Sequence, residues 1–400
     1  MKTSPASIQG HVSNEFEPLR ETFAANFSRR GELGGACCVY YRGEKVVDLW
    51  GGIRDKATGR PWEEDTMVLV YSATKGLAAM TLALAHSRGW LDYDERVSRY
   101  WPEFAQHGKD TITVRQLLAH QAGLFALEEP VDKALVRDLD RLAMVLARQT
   151  PKWPAGERQA YHAITLGFYE SELLRRIDPQ HRSLGRFFQD EIASPLGLDF
   201  YIRLPATIPN SRLATLAKPS PLAMLLGFPF RLTVAAINRR SNIYRALAIN
   251  PGSEVVHDEE HVYARDFEVP SGGGVGTARA MADAYSVFAN DGHELQLGQA
   301  TLEALSAPAV APARGFYDEC MLGAGAQFSL GFMKSCPAWP FGTGSSFGAP
   351  GSGGSLGFAD PEARIGYGYV TSQMGTHITG DPREVALRNA LYSIIRSMHA

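Results

Sequence analysis

Strand-like segments stand at both ends of this chain and helix-like segments fill its middle, and that order limits the fold more than any other feature. GGACCVYY (34–41) and KVVDLWGG (45–52) flank the short polar link RGE and predict an antiparallel hairpin. Far downstream, GSLGFADPEARIGYGYVTSQM (354–374) returns to alternating and β-rich runs, joined by the turn DPEAR. Helical spacing governs the rest. Phe16, Leu19, Phe23 and Phe27 predict a helix over about 14–30, and Leu77, Met80 and Leu84 one over 72 to about 88. Residues 114–120, 133–149, 164–177 and 277–290 read as helices, as does 383–397, where Val385, Leu387, Leu391, Ile394 and Ile395 recur. The simplest assembly is an α+β fold. A central antiparallel sheet, built from N- and C-terminal segments and flanked by helices, faces a largely helical region. The expected division is 1–75 with 291–400 against 76–290, and no internal repeat is visible.

With 400 residues, 45% of them hydrophobic, the chain can bury a large core. A formal charge of -3 gives no global electrostatic case for nucleic acid or a membrane surface. The opening MKTSPASIQGHVSNEF has no apolar run of signal type, and no window approaches roughly eighteen uninterrupted apolar residues. The most apolar stretch, 221–237, is broken by Pro229 and Arg231, so it reads as an apolar flap or a buried segment, not as a membrane span. Cys37 and Cys38 are adjacent and would point to opposite faces of a strand. With Cys320 and Cys336 they form no C-x-x-C, and all four are expected as reduced thiols in a cytoplasmic protein.

Within YSATKG (71–76) the hydrophobic period changes from two to about 3.6 at Ser72 itself, which places Ser72 at a helix N-terminus. Lys75 follows on the same helix face, so the two side chains can touch. A serine hydroxyl becomes a useful nucleophile only when a base takes its proton, and a desolvated lysine can do so. The helix start adds partial positive charge and free N–H groups suited to an oxyanion. Taken alone, the pair also fits a helix cap and a lysine that reaches out to solvent. Two further stretches bear on the choice. In WPAGERQAYHAITLGF (153–168) Tyr161 follows a turn, and a tyrosine of depressed pKa can relay protons. In FGAPGSGGSLGFADP (347–361) a Gly-rich turn feeds a strand and can bring backbone N–H groups to a ligand. Its spacing fits neither G-x-G-x-x-G nor a P-loop.

Together, in this order, these stretches resemble the serine hydrolases of the class C β-lactamase and penicillin-binding-protein superfamily, and most of all the family VIII carboxylesterases. DTMVLVYSATKG, GWLDYDERVSRYWPEF, TVRQLLAHQAGL, PAGERQAYHAITLG and GAPGSGGSLGFADPEARIGYGYV carry the resemblance, which spans roughly residues 15–397. It implies an α/β domain made of both termini, a helical domain, and an active site in the cleft between them. It implies Ser72 as nucleophile, Lys75 as base or electrostatic activator and Tyr161 as proton shuttle. The N–H groups of Ser72 and Ser352 would form the oxyanion hole. Gly351, Gly353 and Phe125 are candidate substrate contacts, with Trp101, Trp153 and the 221–237 segment as further candidate pocket walls.

The chain departs from the β-lactamase pattern at two places. Tyr161-His162-Ala163 stands where Tyr-x-Asn is usual, and Ala349-Pro350-Gly351 where Lys-Thr-Gly is usual. Without a cation at 349 an anionic substrate gains little, while a neutral ester is not penalised. The expectation is therefore a carboxylesterase acting on a small-molecule ester, with no cofactor, no metal, no nucleic-acid partner and no stable membrane insertion. The sequence is compatible with a homo-oligomer. Alternatives from the same reading are a promiscuous class C-like β-lactamase or D-aminoacyl peptidase, an acyltransferase, and an inactive binding scaffold. HDEEH (257–261) fits a zinc spacing but lacks the apolar period of a site helix, so it reads as a solvated loop. His120 reads as a structural group, and His162 as a tuning or packing neighbour of Tyr161.

Overall fold

The computed structural model describes residues 7–399 apart from 130, 220–226, 228–229, 250–264 and 378–379. Three strands come from the N-terminal end: β1 (Ile8–Val12), β2 (Gly34–Tyr41) and β3 (Glu44–Asp55). Five come from the C-terminal third: β4 (Gln327–Ser329), β5 (Phe332–Lys334), β6 (Phe347–Pro350), β7 (Leu356–Asp360) and β8 (Ile365–Thr371). They pair antiparallel in the order β1-β3-β2-β8-β7-β6-β5-β4, and a ninth, short strand at Arg60–Pro61 pairs with the end of β3. The two ends of the chain meet at β2 and β8, where Cys37 lies opposite Tyr369. β2 and β3 are joined by Arg42 and Gly43 alone, at φ +53° and +83°, the two-residue turn whose twist matches a hairpin.

Alternation along β2 sorts its side chains into two cores. Cys37 and Val39 join Leu19, Phe23 and Leu387 on one face, and Cys38 joins the larger core on the other. The four cysteines form no disulfide. Helix α1 (Pro18–Arg29) and the last helix, Pro382–Met398, cover the first face, linked where Asn26 Nδ2 donates to Arg383 O at 3.1 Å.

The central helix α2 (Thr74–Ser87) is buried from Thr74 to Ala85. It is apolar on every side, as a helix enclosed by its neighbours must be. Leu77, Met80, Leu82 and Leu84 are fully enclosed, each contributing about 1.5–3 kcal/mol by burial. Helix α3 (Thr165–Ile177) packs along it. The stretch expected as one helix over 133–149 is two, Lys133–Arg137 and Leu139–Arg148, because Asp138 turns its side chain back to accept from the Arg141 N–H and caps the second.

Helix α4 (Phe230–Ile237) belongs to the apolar stretch read from sequence as a flap or buried segment. Over its described residues it is not buried: only Leu232 and Ala235 turn inward, onto Ile243. Helix α5 (Ala278–Ala289) lies across the sheet, although the sequence grouped it with the helical region. The alternating glycines of IGYGYV are the reason. A Cβ at Gly366 would sit 2.4 Å from Ala282 O, and one at Gly368 2.2 Å from Ala278 O, so glycine lets α5 press onto β8. The last helix, Pro382–Met398, is α6. Among the described residues no helix is long and apolar enough to cross a membrane.

Candidate active site

Ser72 lies in a single 3-10 turn, Tyr71–Ala73, that runs straight into α2. Tyr71 enters it at φ +46°, a left-handed backbone uncommon for a large side chain and frequent beside reacting groups. The first bond of the turn runs from Ala73 N–H to Val70 O, so the Ser72 N–H precedes the helical ladder. Ser72 itself is partly exposed.

Lys75 sits one turn further on and is buried. Its Nζ is 3.4 Å from Ser72 Oγ, and it donates to Ala163 O at 2.6 Å and to Ser271 O at 2.8 Å. A neutral amine has two N–H bonds and one lone pair. Two carbonyls take the N–H bonds, which leaves the lone pair for the serine proton. Burial lowers the Lys75 pKa to about 7, and the Glu170 carboxylate opposes that shift. Glu170, on α3, is fully buried with neither carboxylate oxygen hydrogen-bonded among the described residues, and burial pushes it up to about 8.

Ser271 reaches Lys75 from a loop pinned on both sides. Val70 N–H donates to Gly274 O at 3.0 Å, Gly274 N–H donates to Thr74 Oγ1 at 2.9 Å, and Gly167 N–H donates to Ser271 Oγ at 2.7 Å.

The Tyr161 hydroxyl lies beside Ser72, and the Tyr161 ring centroid is 4.9 Å from Lys75 Nζ. Burial raises the Tyr161 phenol pKa to about 12, against the opposing interaction with Ser72. Tyr161 therefore holds its proton at neutral pH.

Two histidines hold this corner together. His162 N–H donates to His120 Nδ1 at 2.9 Å, Leu124 N–H donates to His162 Nε2 at 3.1 Å, and His162 Nδ1 meets Ala160 O at 2.7 Å. Burial lowers the His162 pKa to about 4 and that of His120 well below its ordinary value, so both rings stay neutral. Their bonds tie 120–124 to 160–163 and thereby fix Tyr161 and the Ala163 carbonyl.

The glycine-rich turn closes the other side. Gly351 N–H donates to Ser355 O at 2.7 Å and Gly354 N–H to Gly351 O at 3.1 Å, while the Ser352 N–H has no partner among the described residues. A Cβ at Gly351 would lie 2.0 Å from Val70 O, so glycine alone lets this turn abut the turn that carries Ser72. Gly353 is buried against Met374 and accepts from the Gly375 N–H at 3.0 Å. Ala349 is buried beside Gly76 and the Tyr285 hydroxyl. A cavity of about 270 Å³ opens beyond Gly351, with Trp339, Phe341, Leu356, Asp381 and Glu384 among its walls.

Phe125 is corrected as a substrate contact: it has no exposed surface and stacks on Trp153 at 5.5 Å. Trp101 likewise packs in the core, on Phe104 and Tyr169. HDEEH lies outside the described residues. Ser271 and Glu170 were missed in the sequence. Glu170 left a signal, an acid in the apolar register Leu166, Glu170, Leu173, Leu174; the Ser271 contact is a backbone carbonyl, which no side-chain pattern announces.

The Beta-lactamase family model matches residues 19–391. The esterase/beta-lactamase LipL of Mycobacterium tuberculosis is 32% identical over 371 residues, covering 92% of this chain and 83% of LipL. The chain belongs to the beta-lactamase family. Among solved structures, this beta-lactamase-family chain is similar to a family VIII carboxylesterase, with TM-score 0.83 and 34% identity, over 97% of this chain and 100% of that one. It is also similar to EstA from Arthrobacter nitroguajacolicus, with TM-score 0.82 and 30% identity, over 98% and 100%. The protein is an enzyme of the serine hydrolase class, of esterase type.

Proposed function

We propose that the protein is a serine carboxylesterase that hydrolyses small to medium neutral carboxylic esters through an acyl-Ser72 intermediate. The observation that carries this reading is the setting of Lys75. Its Nζ stands 3.4 Å from Ser72 Oγ with two carbonyls on its remaining bonds and a pKa near 7.

In this reading the Lys75 amine takes the Ser72 proton as Oγ bonds to the ester carbonyl carbon. The displaced electron pair rests on the carbonyl oxygen, held by the Ser72 and Ser352 N–H groups. On collapse, the Tyr161 hydroxyl protonates the departing alkoxide and the Lys75 ammonium restores the phenol. Water then attacks the acyl carbon, its proton passing to the same pair and from there to Ser72 Oγ as the acyl–Oγ bond breaks. Ala349 and Ala163 support a neutral substrate, because neither supplies the cation or amide that holds an anionic β-lactam.

The test is hydrolysis of p-nitrophenyl butyrate by wild type and Ser72→Ala. Turnover in the first and none in the second is expected; equal turnover in both removes Ser72 from the mechanism.

A further inference from the structure

Helix α4 carries a stripe that nothing among the described residues covers. Phe230, Val234 and Ile237 stand at i, i+4 and i+7 and are 79%, 51% and 74% exposed, and Leu247 beyond them is 40% exposed. Isolated apolar side chains are normal on a surface, but an aligned stripe of large ones marks a contact face.

The segment that carries this stripe holds charges of one sign. The chain as a whole carries -3, yet no Asp or Glu occurs between Asp199 and Glu254. Arg231, Arg239 and Arg240 are exposed beside the stripe, and none of them forms an ion pair with a described residue. The segment is tied at opposite flanks of the site. At one end, Met374 N–H donates to Ala217 O at 2.9 Å, beside Gly353. At the other, Asn242 Nδ2 donates to Glu319 O at 3.3 Å, next to Asp318, which accepts from the Tyr161 N–H at 3.2 Å. The segment that bears the stripe is thus anchored on both flanks of the Ser72 site.

We propose that this stripe, with its flanking arginines, docks the enzyme onto an anionic lipid bilayer. An exposed apolar helix face bordered by arginines, with no acid in the same stretch of sequence, is the composition of a helix that lies in a membrane interface. A second copy of the chain fits less well, since two such faces repel. A folded protein partner fits less well too. A convex stripe on a helix about 12 Å long offers far less than the roughly 1,000 Å² of a stable protein interface. The consequence for the reaction rests on the esterase reading: esters dissolved in a bilayer would meet Ser72 at the point of contact.

The docking itself is tested without hydrolysis, by sedimenting the Ser72→Ala protein with vesicles of phosphatidylcholine alone or mixed with phosphatidylglycerol. Binding is expected to the mixed vesicles only, and to weaken with salt. At about fivefold per basic residue near an anionic surface, Arg239→Gln with Arg240→Gln should cut partitioning roughly 25-fold. Phe230→Ser with Ile237→Ser should abolish it, and both pairs should keep the parent melting temperature. Absence of binding to the mixed vesicles would overturn the proposal. So would binding that survives both pairs of substitutions, or a dimer in light scattering that Phe230→Ser with Ile237→Ser dissociates.

Discussion

Glu170 packs one helical turn along α2 from Lys75. Its Oε1 and the Cβ of Ala79 lie within 2.9 Å and 2.6 Å of the point where a Cβ at Gly331 would stand. Ala79 follows Lys75 by four residues, so the carboxyl and the amine share one buried helix face. The two protonations are coupled, and the carboxylate favours the charged lysine. The sign for activity follows. The free amine is the base, so kcat/KM should rise about tenfold per pH unit below the Lys75 pKa. It should level above pH about 7, the value to which burial lowers Lys75. With its carboxyl pushed up to about 8, Glu170 is largely neutral across the acid limb, so Glu170→Gln should leave that limb and the plateau in place. A pH–rate profile of the two proteins checks this; a limb that moves to lower pH would mean that Glu170 is ionised there.

Tyr161 should act through its proton and not through ionisation, because burial holds the phenol at about 12. Tyr161→Phe should lower kcat by about 10²-fold or more, as loss of a general acid does, with a smaller effect on KM. Steady-state kinetics decide it. An ester with a very good leaving group should be less affected, since its alkoxide needs no proton.

Gly351 should tolerate no side chain. Gly351→Ala places a methyl 2.0 Å from Val70 O and separates the turn bearing Ser352 from the turn bearing Ser72. Loss of an oxyanion donor costs about 10²–10³ in kcat. That range is the expected outcome, provided circular dichroism shows the variant folded.

Arg383 holds the same turn from behind. It is buried, pairs with Asp381 and Glu32, and donates through Nη2 to Gly353 O at 3.0 Å. Arg383→Met leaves two buried carboxylates without their cation, a loss of about 3–5 kcal/mol. Urea unfolding should read that loss, and kcat should fall with it as Gly353 loses its anchor.

Much of this arrangement was legible in the sequence, for local reasons. The change of period at Ser72 marked the start of α2, and the alternation of β2 sent Cys37 and Cys38 to different cores. The strands at both chain ends do form one sheet. What could not be read depends on contacts between distant segments. Ser271 O meets Lys75 across 196 positions of sequence, through a backbone atom that any residue carries. Phe125 was misplaced because an aromatic side chain near a motif reads alike whether it lines a cleft or stacks on Trp153 behind it. The Tyr161 pKa could not be read because burial, which raises it, has no signature in a single sequence.

The most direct test of the central claim is the intact mass of the enzyme quenched during turnover of p-nitrophenyl butyrate, with the modified peptide mapped. The account predicts one added butyryl group, on Ser72, present in the wild type and in Tyr161→Phe and absent in Ser72→Ala. A butyryl group mapped to another residue, or turnover by Ser72→Ala with a label elsewhere, would contradict it.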